Sequence, residues 1–424
     1  MDFFNYKEQF FHCEDVYLRD IADEVGTPTY VYSHRTLLRH ARVIDDAWKD
    51  FDHLTCYSVK ANSNIAILRI FAEAGLGADI VSGGELYRAR TAGFPANKIV
   101  FSGVGKTADE LRAALCEDIL AFNVESLGEL EALNRVAANE RRKARVNLRI
   151  NPDVDPKTHP KIATGLKTAK FGIPHAKARD AYRRAAELEW IEVVGIDAHI
   201  GSGLASVKPF VEAAERLLGL VEQIRADGVS LSMIDIGGGL GITYDAENPP
   251  SPAEWAAAVG PILSDAGLTI ILEPGRSVVG NAGVLLTRVL YLKENEGKNF
   301  VVVDAGMNDL IRPSLYDSFH RVLPVIERDR QEIRADIVGP ICETGDVLAR
   351  DREIVEPYES DVLAVMSTGA YGFAMASTYN SQPRPAEVIV RDAEWQVIRD
   401  RESYDDLIRG ERFLTIGEKA SLDA

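Results

Sequence analysis

The sequence predicts two parts: an α/β barrel of the TIM, or (β/α)8, type over residues 36–282, and a β-rich domain, sandwich- or barrel-like, over 1–35 and 283–424. Three observations predict it. Short apolar runs of β type alternate with helical patterns from 54 to 275, the order that makes parallel strands with helical crossovers. Eight such runs fall within about 220 residues, which suits a closed barrel better than an open doubly wound sheet. Beyond 283 the helical patterns give way to short strand-like runs.

Barrel strands are expected at 54–61, 78–82, 98–103, 119–124, 145–151, 194–200, 231–236 and 269–273. Helices are expected between them at 64–74, 84–92, 108–116, 126–142, 174–187, 207–226 and 253–264. A Gly-x-Gly turn after the first strand would favour a dinucleotide-binding sheet, but the strand runs instead into Ser58-Val59-Lys60-Ala61-Asn62. The irregular stretch 151–172 is long enough for an active-site loop, since structureless segments beyond about 12–15 residues are usually functional. In the second domain strands are expected at 284–292, 300–304, 334–338, 361–366 and 387–390, with 29–33 completing the sheet. Neither an internal repeat nor a low-complexity tract interrupts this order.

Composition narrows the function. The 424 residues are 46% hydrophobic and 27% charged, near globular averages, which argues against a disordered or fibrous chain. Asp and Glu total 65 against 48 Lys and Arg, and the formal charge of −17 repels nucleic acid and anionic lipid. An anionic small molecule remains compatible, because a local Arg cluster dominates within a Debye length of roughly 8–10 Å. Residues 1–19 lack a basic, apolar leader pattern, and no apolar run nears the roughly 20 residues of a membrane span, so a cytoplasmic chain is expected. Cys13, Cys56, Cys116 and Cys342 show no Cys-x-x-Cys spacing, so neither a metal site nor a disulfide framework is expected.

In TIM barrels catalytic groups stand at C-terminal strand ends, and the loops after strands seven and eight often hold phosphate. Here strand seven runs into Gly237-Gly238-Gly239 and strand eight into Glu273-Pro274-Gly275-Arg276. Both loops offer backbone N–H groups with little side chain in the way, although three glycines are as readily a plain tight turn. Lys60 closes strand one with its amine toward the barrel mouth. Lysine is the side chain that condenses with an aldehyde cofactor, while a lone strand-end lysine is more often a solvated charge. Paired with a phosphate loop across the same mouth, Lys60 points to pyridoxal 5′-phosphate (PLP). That cofactor needs an acid at its ring nitrogen, and Glu273 is the candidate, against the alternatives of a helix cap or an ion pair with Arg276. His199, at the end of strand six, would stack on the ring or serve as a core histidine.

The run Tyr57-Ser58-Val59-Lys60-Ala61-Asn62 resembles the PLP-lysine motif of the alanine racemase-like, fold type III, decarboxylases. His199-Ile200-Gly201-Ser202, Gly237-Gly238-Gly239, Glu273-Pro274-Gly275-Arg276, Gly339-Pro340-Ile341-Cys342-Glu343-Thr344-Gly345-Asp346 and Gly369-Ala370-Tyr371-Gly372 follow in that family's order across nearly the whole chain. Segment 366–390, with Ala374-Met375-Ala376-Ser377 and Arg384-Pro385-Ala386-Glu387, is similar to the diaminopimelate decarboxylases in particular. The resemblance implies Lys60 as the Schiff-base lysine, His199 on the cofactor ring and Glu273 at the pyridine nitrogen. It implies Ser202, Gly239, Gly275, Arg276 and Tyr371 around the phosphate. It also implies Cys342 as the acid that protonates the carbanion, where the other reading is a buried inert thiol. The Gln that usually follows His-Ile-Gly-Ser in the family is Gly203 here.

Arg276, Arg312, Tyr316, Glu343 and Tyr371 match the positions that hold substrate in the family. Glu343 stands where the related ornithine decarboxylases carry Asp. Two guanidinium groups at one mouth of an acidic protein suit a carboxylate that the reaction leaves in place, unless Arg312 is merely a surface charge. The implied activity is PLP-dependent decarboxylation of meso-2,6-diaminopimelate to L-lysine and carbon dioxide. Alternatives are the same chemistry on ornithine, arginine or carboxynorspermidine, a PLP-free regulatory homologue, and a racemase. Retention of Lys60 and Cys342 argues against the regulatory homologue, and a racemase would want a tyrosine in place of Cys342. The resemblance also implies a homodimer with shared active sites, Cys342 crossing to the neighbour's barrel, whereas spacing alone permits either arrangement.

Overall fold

The computed structural model describes residues 2–155, 165 and 169–414. Eight parallel strands close into a barrel: His53–Ser58, Gly77–Ile80, Ile99–Phe101, Ala121–Val124, Ala144–Asn151, Ile191–Asp197, Met233–Asp235 and Thr269–Leu272. Closure is made where the eighth strand pairs with the first, Ile271 opposite Leu54. All eight expected strands are there, most of them trimmed at their ends. These strands are buried on both faces, inside the barrel and under the helices, and so read as continuous apolar runs. The trimming matters at strand one, which ends at Ser58; Val59–Ala61 form a 3-10 turn, so Lys60 stands just beyond the sheet rather than closing it.

The seven expected helices are present, as Ile65–Glu73, Gly83–Ala92, Ala108–Glu117, Leu127–Glu140, Ala178–Glu187, Lys208–Ala226 and Pro252–Ser264. Five of them start where a side chain accepts a first-turn N–H: Asn64, Ser82, Thr107, Ser126 and Ser251. An eighth helix, His34–Trp48, was not expected from the sequence. Its charged face hides a stripe of Leu37, Ala41, Ile44 and Trp48, and Trp48 packs edge-on against Trp255 at 5.0 Å.

The second sheet runs in the order Val347–Val355, Glu332–Val338, Lys298–Val303, Gly283–Asn295, Thr29–Ser33, Ala386–Arg391 and Glu394–Arg399. Val362–Val365 pairs with Gly283–Asn295 as well. Thr29–Ser33 lies inside this sheet, antiparallel to Gly283–Asn295 and parallel to Ala386–Arg391, so the N-terminal segment completes it. Three of its strands went unread: Val347–Val355 carries Arg350-Asp351-Arg352-Glu353, Glu394–Arg399 is polar and lies at the sheet edge, and Val322–Pro324, paired with Val362–Val365, is only three residues long. A small N-terminal sheet of Phe4–Lys7, Phe10–Cys13 and Val16–Tyr17 was also missed. The expected active-site loop at 151–172 lies largely outside the described residues.

The β-rich part reaches back to the mouth of its own barrel. Tyr371 N–H donates to Ala61 O at 2.8 Å, and Asn62 Nδ2 donates to Gly369 O at 3.2 Å. The loop carrying Tyr371 is thereby fastened to the turn carrying Lys60.

Candidate active site

Lys60 Nζ donates to Asp79 Oδ2 at 2.7 Å. Asp79 sits fully buried in strand two, takes the Ser58 hydroxyl too, and leaves its Oδ1 without a partner among the described residues. Burial works against the charged amine, but the carboxylates of Asp79 and Glu273 outweigh it and hold Lys60 above its ordinary range. Lys60 is thus not a lone strand-end charge but one ion-paired to a buried carboxylate, with its side chain 34% exposed. Asp79 itself was missed; the available signal was an acid inside the wholly buried run Gly77-Ala78-Asp79-Ile80.

Glu273 follows the last residue of strand eight and is 5% exposed. Its Oε1 accepts from Asn123 Nδ2 and from Ser102 Oγ, each at 3.2 Å. It neither caps a helix nor pairs with Arg276: the cap of the short helix Arg276–Val279 is Gly275. Burial first, then the charge on Asp79, push Glu273 up to about 7. Asp235 accepts from the same Asn123 Nδ2 at 3.1 Å, and burial raises both Asp235 and Asp197 well above the usual carboxylate range. Arg149 offsets this acid layer, bonded to Glu125 at 2.7 Å and 3.8 Å from Asp197.

Gly238 N–H donates to His199 Nδ1 at 3.2 Å, which places the proton of the neutral ring on Nε2. Burial, then Arg149 and Lys60, keep His199 well below its ordinary range, so the ring is uncharged. The glycine run is more than a turn. Gly237 has φ +65° and a Cβ there would lie 2.4 Å from His199 Nδ1; one on Gly239, at φ +121°, would lie 2.3 Å from Gly201 O. One on Gly238 would lie 2.1 Å from Glu273 O, so only glycines let the loops after strands six, seven and eight meet. Gly203, where the family usually has Gln, is also left-handed at φ +78°.

Lys60, His199 and Glu273 line one cavity of about 520 Å³ together with Ser82, Ser102, Arg149 and Phe171. An amine, a buried acid and an uncharged flat ring around one cavity fit PLP, while the expected phosphate residues Ser202, Gly239, Gly275, Arg276 and Tyr371 are not part of its lining.

A second cluster gathers on the loops after strands six, seven and eight and on the short helix Arg312–Tyr316. Arg276 Nη1 donates to Tyr244 OH at 2.6 Å, its Nε and Nη2 reach Ser202 Oγ at 3.4 Å each, and its guanidinium lies 5.1 Å over the Tyr371 ring. Arg312 is 4% exposed, which excludes the surface-charge reading. Its Nη1 donates to Tyr244 OH at 2.8 Å and to His320 Nε2 at 3.3 Å, and its Nη2 to Ser318 Oγ at 3.2 Å. Tyr316 ends the same short helix, Arg312–Tyr316, half-buried. Gly275 packs against the end of strand one and the turn after it, where a Cβ would meet those of Ser58 at 3.0 Å and Ala61 at 3.1 Å. Tyr244 and His320 were missed; the only signal was an aromatic a few residues past the glycines and a histidine shortly after Arg312.

Cys342 and Glu343 are not brought to this cavity. Both are exposed, on the loop after Glu332–Val338; Cys342 N–H donates to Asn380 Oδ1 at 2.8 Å and Tyr379 OH donates to Glu343 Oε2 at 2.9 Å. Asp346 shapes the loop by accepting from Ile341 N at 2.7 Å and Met307 N at 2.6 Å. The buried-thiol reading of Cys342 is excluded, whereas Cys13 and Cys56 are buried.

Comparison with known proteins places these features in a family. Residues 35–280 match the model of the pyridoxal-dependent decarboxylases, pyridoxal binding domain. The chain is 51% identical to a diaminopimelate decarboxylase of Pseudomonas aeruginosa over 98% of this chain and all of that one. The structure is similar to that of Helicobacter pylori diaminopimelate decarboxylase in complex with L-lysine, with TM-score 0.90 and 40% identity over 92% of this chain and 98% of that one. It is also similar to the M. jannaschii diaminopimelate decarboxylase in complex with L-lysine, with TM-score 0.93 and 37% identity over 97% and 98% of the two chains. With a closed barrel, a lysine and a buried acid on one cavity, and likeness along almost its whole length, the chain belongs to the pyridoxal-dependent decarboxylases and, within them, to the diaminopimelate decarboxylases.

Proposed function

We propose that the enzyme removes one carboxyl group from meso-2,6-diaminopimelate, with PLP held on Lys60, and releases L-lysine and carbon dioxide. The observation that carries this substrate is the state of Arg312. A guanidinium has five N–H groups. Three are spent on Tyr244, His320 and Ser318, and the other two have no partner among the described residues. No carboxylate pairs with Arg276 or Arg312 among those residues, and leaving a buried charge unpaired costs roughly 3–5 kcal/mol. A substrate carboxylate that survives the reaction supplies the missing partner.

The residues divide the work. Bound PLP supplies the electron sink for the pair left behind when carbon dioxide departs. Lys60 is the amine that would hold the cofactor aldehyde between turnovers. Glu273 would hold the ring nitrogen, where its raised affinity for protons would let it share one. The uncharged His199 would support the ring without competing for that proton. Ser202, Gly239, Gly275, Arg276 and Tyr371 would hold the phosphate, and Arg276, Arg312, Tyr316, Glu343 and Tyr371 would hold the substrate. Cys342 returns a proton to the substrate carbon.

Cys342 and Glu343 serve the neighbouring subunit of a homodimer. The exposure of both side chains, on a loop of the β-rich part, supports that arrangement. The test of the activity is carbon dioxide release by PLP-loaded protein. Release from meso-diaminopimelate far above that from ornithine, arginine or lysine supports the proposal, and equal or better use of a monocarboxylic substrate overturns it. The test of the dimer mixes Lys60→Ala with Cys342→Ala under subunit exchange. Random pairing returns about a quarter of wild-type activity if sites are shared, because mixed dimers hold one intact site; no return despite proven exchange overturns sharing.

A further inference from the structure

We propose that Tyr244 is a further substrate-binding residue: its hydroxyl donates to the retained carboxylate and, by accepting from both guanidiniums, sets the gap between Arg276 and Arg312. The proposal deepens the reading above and rests on its carboxylate.

The hydrogen-bond count requires an acceptor that the protein does not provide. Tyr244 OH accepts from Arg276 Nη1 at 2.6 Å and from Arg312 Nη1 at 2.8 Å. A phenol oxygen has two lone pairs and one proton, so both lone pairs are in use and the proton remains to be donated. Among the described residues nothing accepts it. The surrounding groups are donors or already committed. His320 Nδ1 faces Met366 O at 2.8 Å and therefore carries the ring proton, which leaves Nε2 to accept from Arg312 at 3.3 Å. Burial, then Arg312, press His320 down to about 3, so the ring stays neutral and keeps that lone pair. Two guanidiniums and an O–H converging without an anion make a site for a carboxylate.

The phenol is held in place independently of any ligand. Arg312 lies 4.9 Å over its ring face, and the His320 ring meets it edge-on at 5.2 Å and 82°. Glu247 Oε2 accepts from the backbone of Tyr244 at 2.9 Å and of Asp245 at 2.7 Å, and Asn281 Nδ2 ties down Thr243 O at 3.0 Å. The residue is preorganised, so its hydroxyl adds to binding without an ordering cost.

Two ligands separate this role from a general effect on the site: L-lysine keeps the carboxylate and 1,5-diaminopentane lacks it. Dissociation constants of both are measured on the PLP-loaded enzyme, wild type and Tyr244→Phe, with the visible absorbance of the lysine-bound cofactor as the check on folding and loading. Loss of a hydrogen bond to a charged group should weaken L-lysine by about 10- to 100-fold. 1,5-Diaminopentane should be unmoved, and KM for meso-diaminopimelate should rise by a similar factor with kcat little changed. Glu247→Ala loosens the loop from outside the site and should move the lysine-to-diaminopentane ratio the same way by a smaller factor. A wild-type preference for lysine that survives Tyr244→Phe, or equal weakening of both ligands, overturns the role of Tyr244 alone. A wild-type enzyme that binds both ligands equally overturns the carboxylate reading and this proposal together.

Discussion

Two charged clusters share the barrel mouth and follow opposite rules. Inside the barrel, Lys60 is matched by Asp79, Arg149 by Glu125, and Glu273 by the amide of Asn123 and the hydroxyl of Ser102. Beside it, Arg276 and Arg312 meet a phenol, an imidazole and two serine hydroxyls, with no carboxylate among the described residues. Buried charge is tolerated when it is paired. The cations of the first cluster are therefore matched before any ligand arrives, although Asp79 Oδ1 keeps no partner among the described residues, and this cluster governs where protons sit. The second is incomplete and governs what binds.

The comparison is broken most severely by Lys60→Ala, which should leave no measurable decarboxylation and no borohydride-reducible cofactor adduct. A peptide map that finds the adduct on another lysine overturns the assignment. Next comes Cys342→Ala, outside both clusters: loss of a proton donor should slow turnover by about 10²–10⁴-fold while the adduct on Lys60 and its absorbance stay intact. Rapid-quench measurement of product formation checks it.

Arg312→Lys tests the incomplete cluster. A point charge cannot replace a planar fork, so KM for meso-diaminopimelate should rise by about 10- to 100-fold with cofactor binding little changed. Asp79→Asn tests the other. Only the neutral amine captures an aldehyde, and Asp79 helps hold Lys60 protonated above its ordinary range. The pH at which cofactor-free protein begins to capture PLP should therefore move down in the variant; an unmoved or raised profile contradicts the pairing.

The smallest effect concerns stability. Glu273, raised from 4.5 to about 7, binds its proton more tightly folded than unfolded. It therefore lowers the stability of cofactor-free protein as pH rises from about 4.5 through about 7. Glu273→Gln removes that dependence, so melting curves should show the variant gaining a few degrees on wild type at pH 8 relative to pH 5. A difference that shrinks as pH rises overturns the sign.

The fold was legible because its signals are local. The eight barrel strands are runs buried on both faces, and the helices between them begin at Asn, Ser and Thr caps. Where burial is one-sided, the signal fades: His34–Trp48 presents its charged face to the reader, and Val347–Val355 reads as Arg-Asp-Arg-Glu. Residues at fixed places in motifs, Lys60, His199 and Glu273, were found and do meet on one cavity. Asp79, Tyr244 and His320 were not found, since each matters only through what lies opposite it.

The sequence alone determined the barrel, the glycines after strand seven and the likeness that links six motifs, because backbone periodicity and the need for left-handed or close-approach residues are written at consecutive positions. Only the tertiary structure decided that Asp79 pairs with Lys60, that Tyr244 stands between Arg276 and Arg312, and that Cys342 is exposed. Those facts depend on the convergence of loops from separate strands. Hydrogen bonds and charge compensation act across space, and a linear pattern carries no record of which side chains the closed barrel brings within 3 Å of one another.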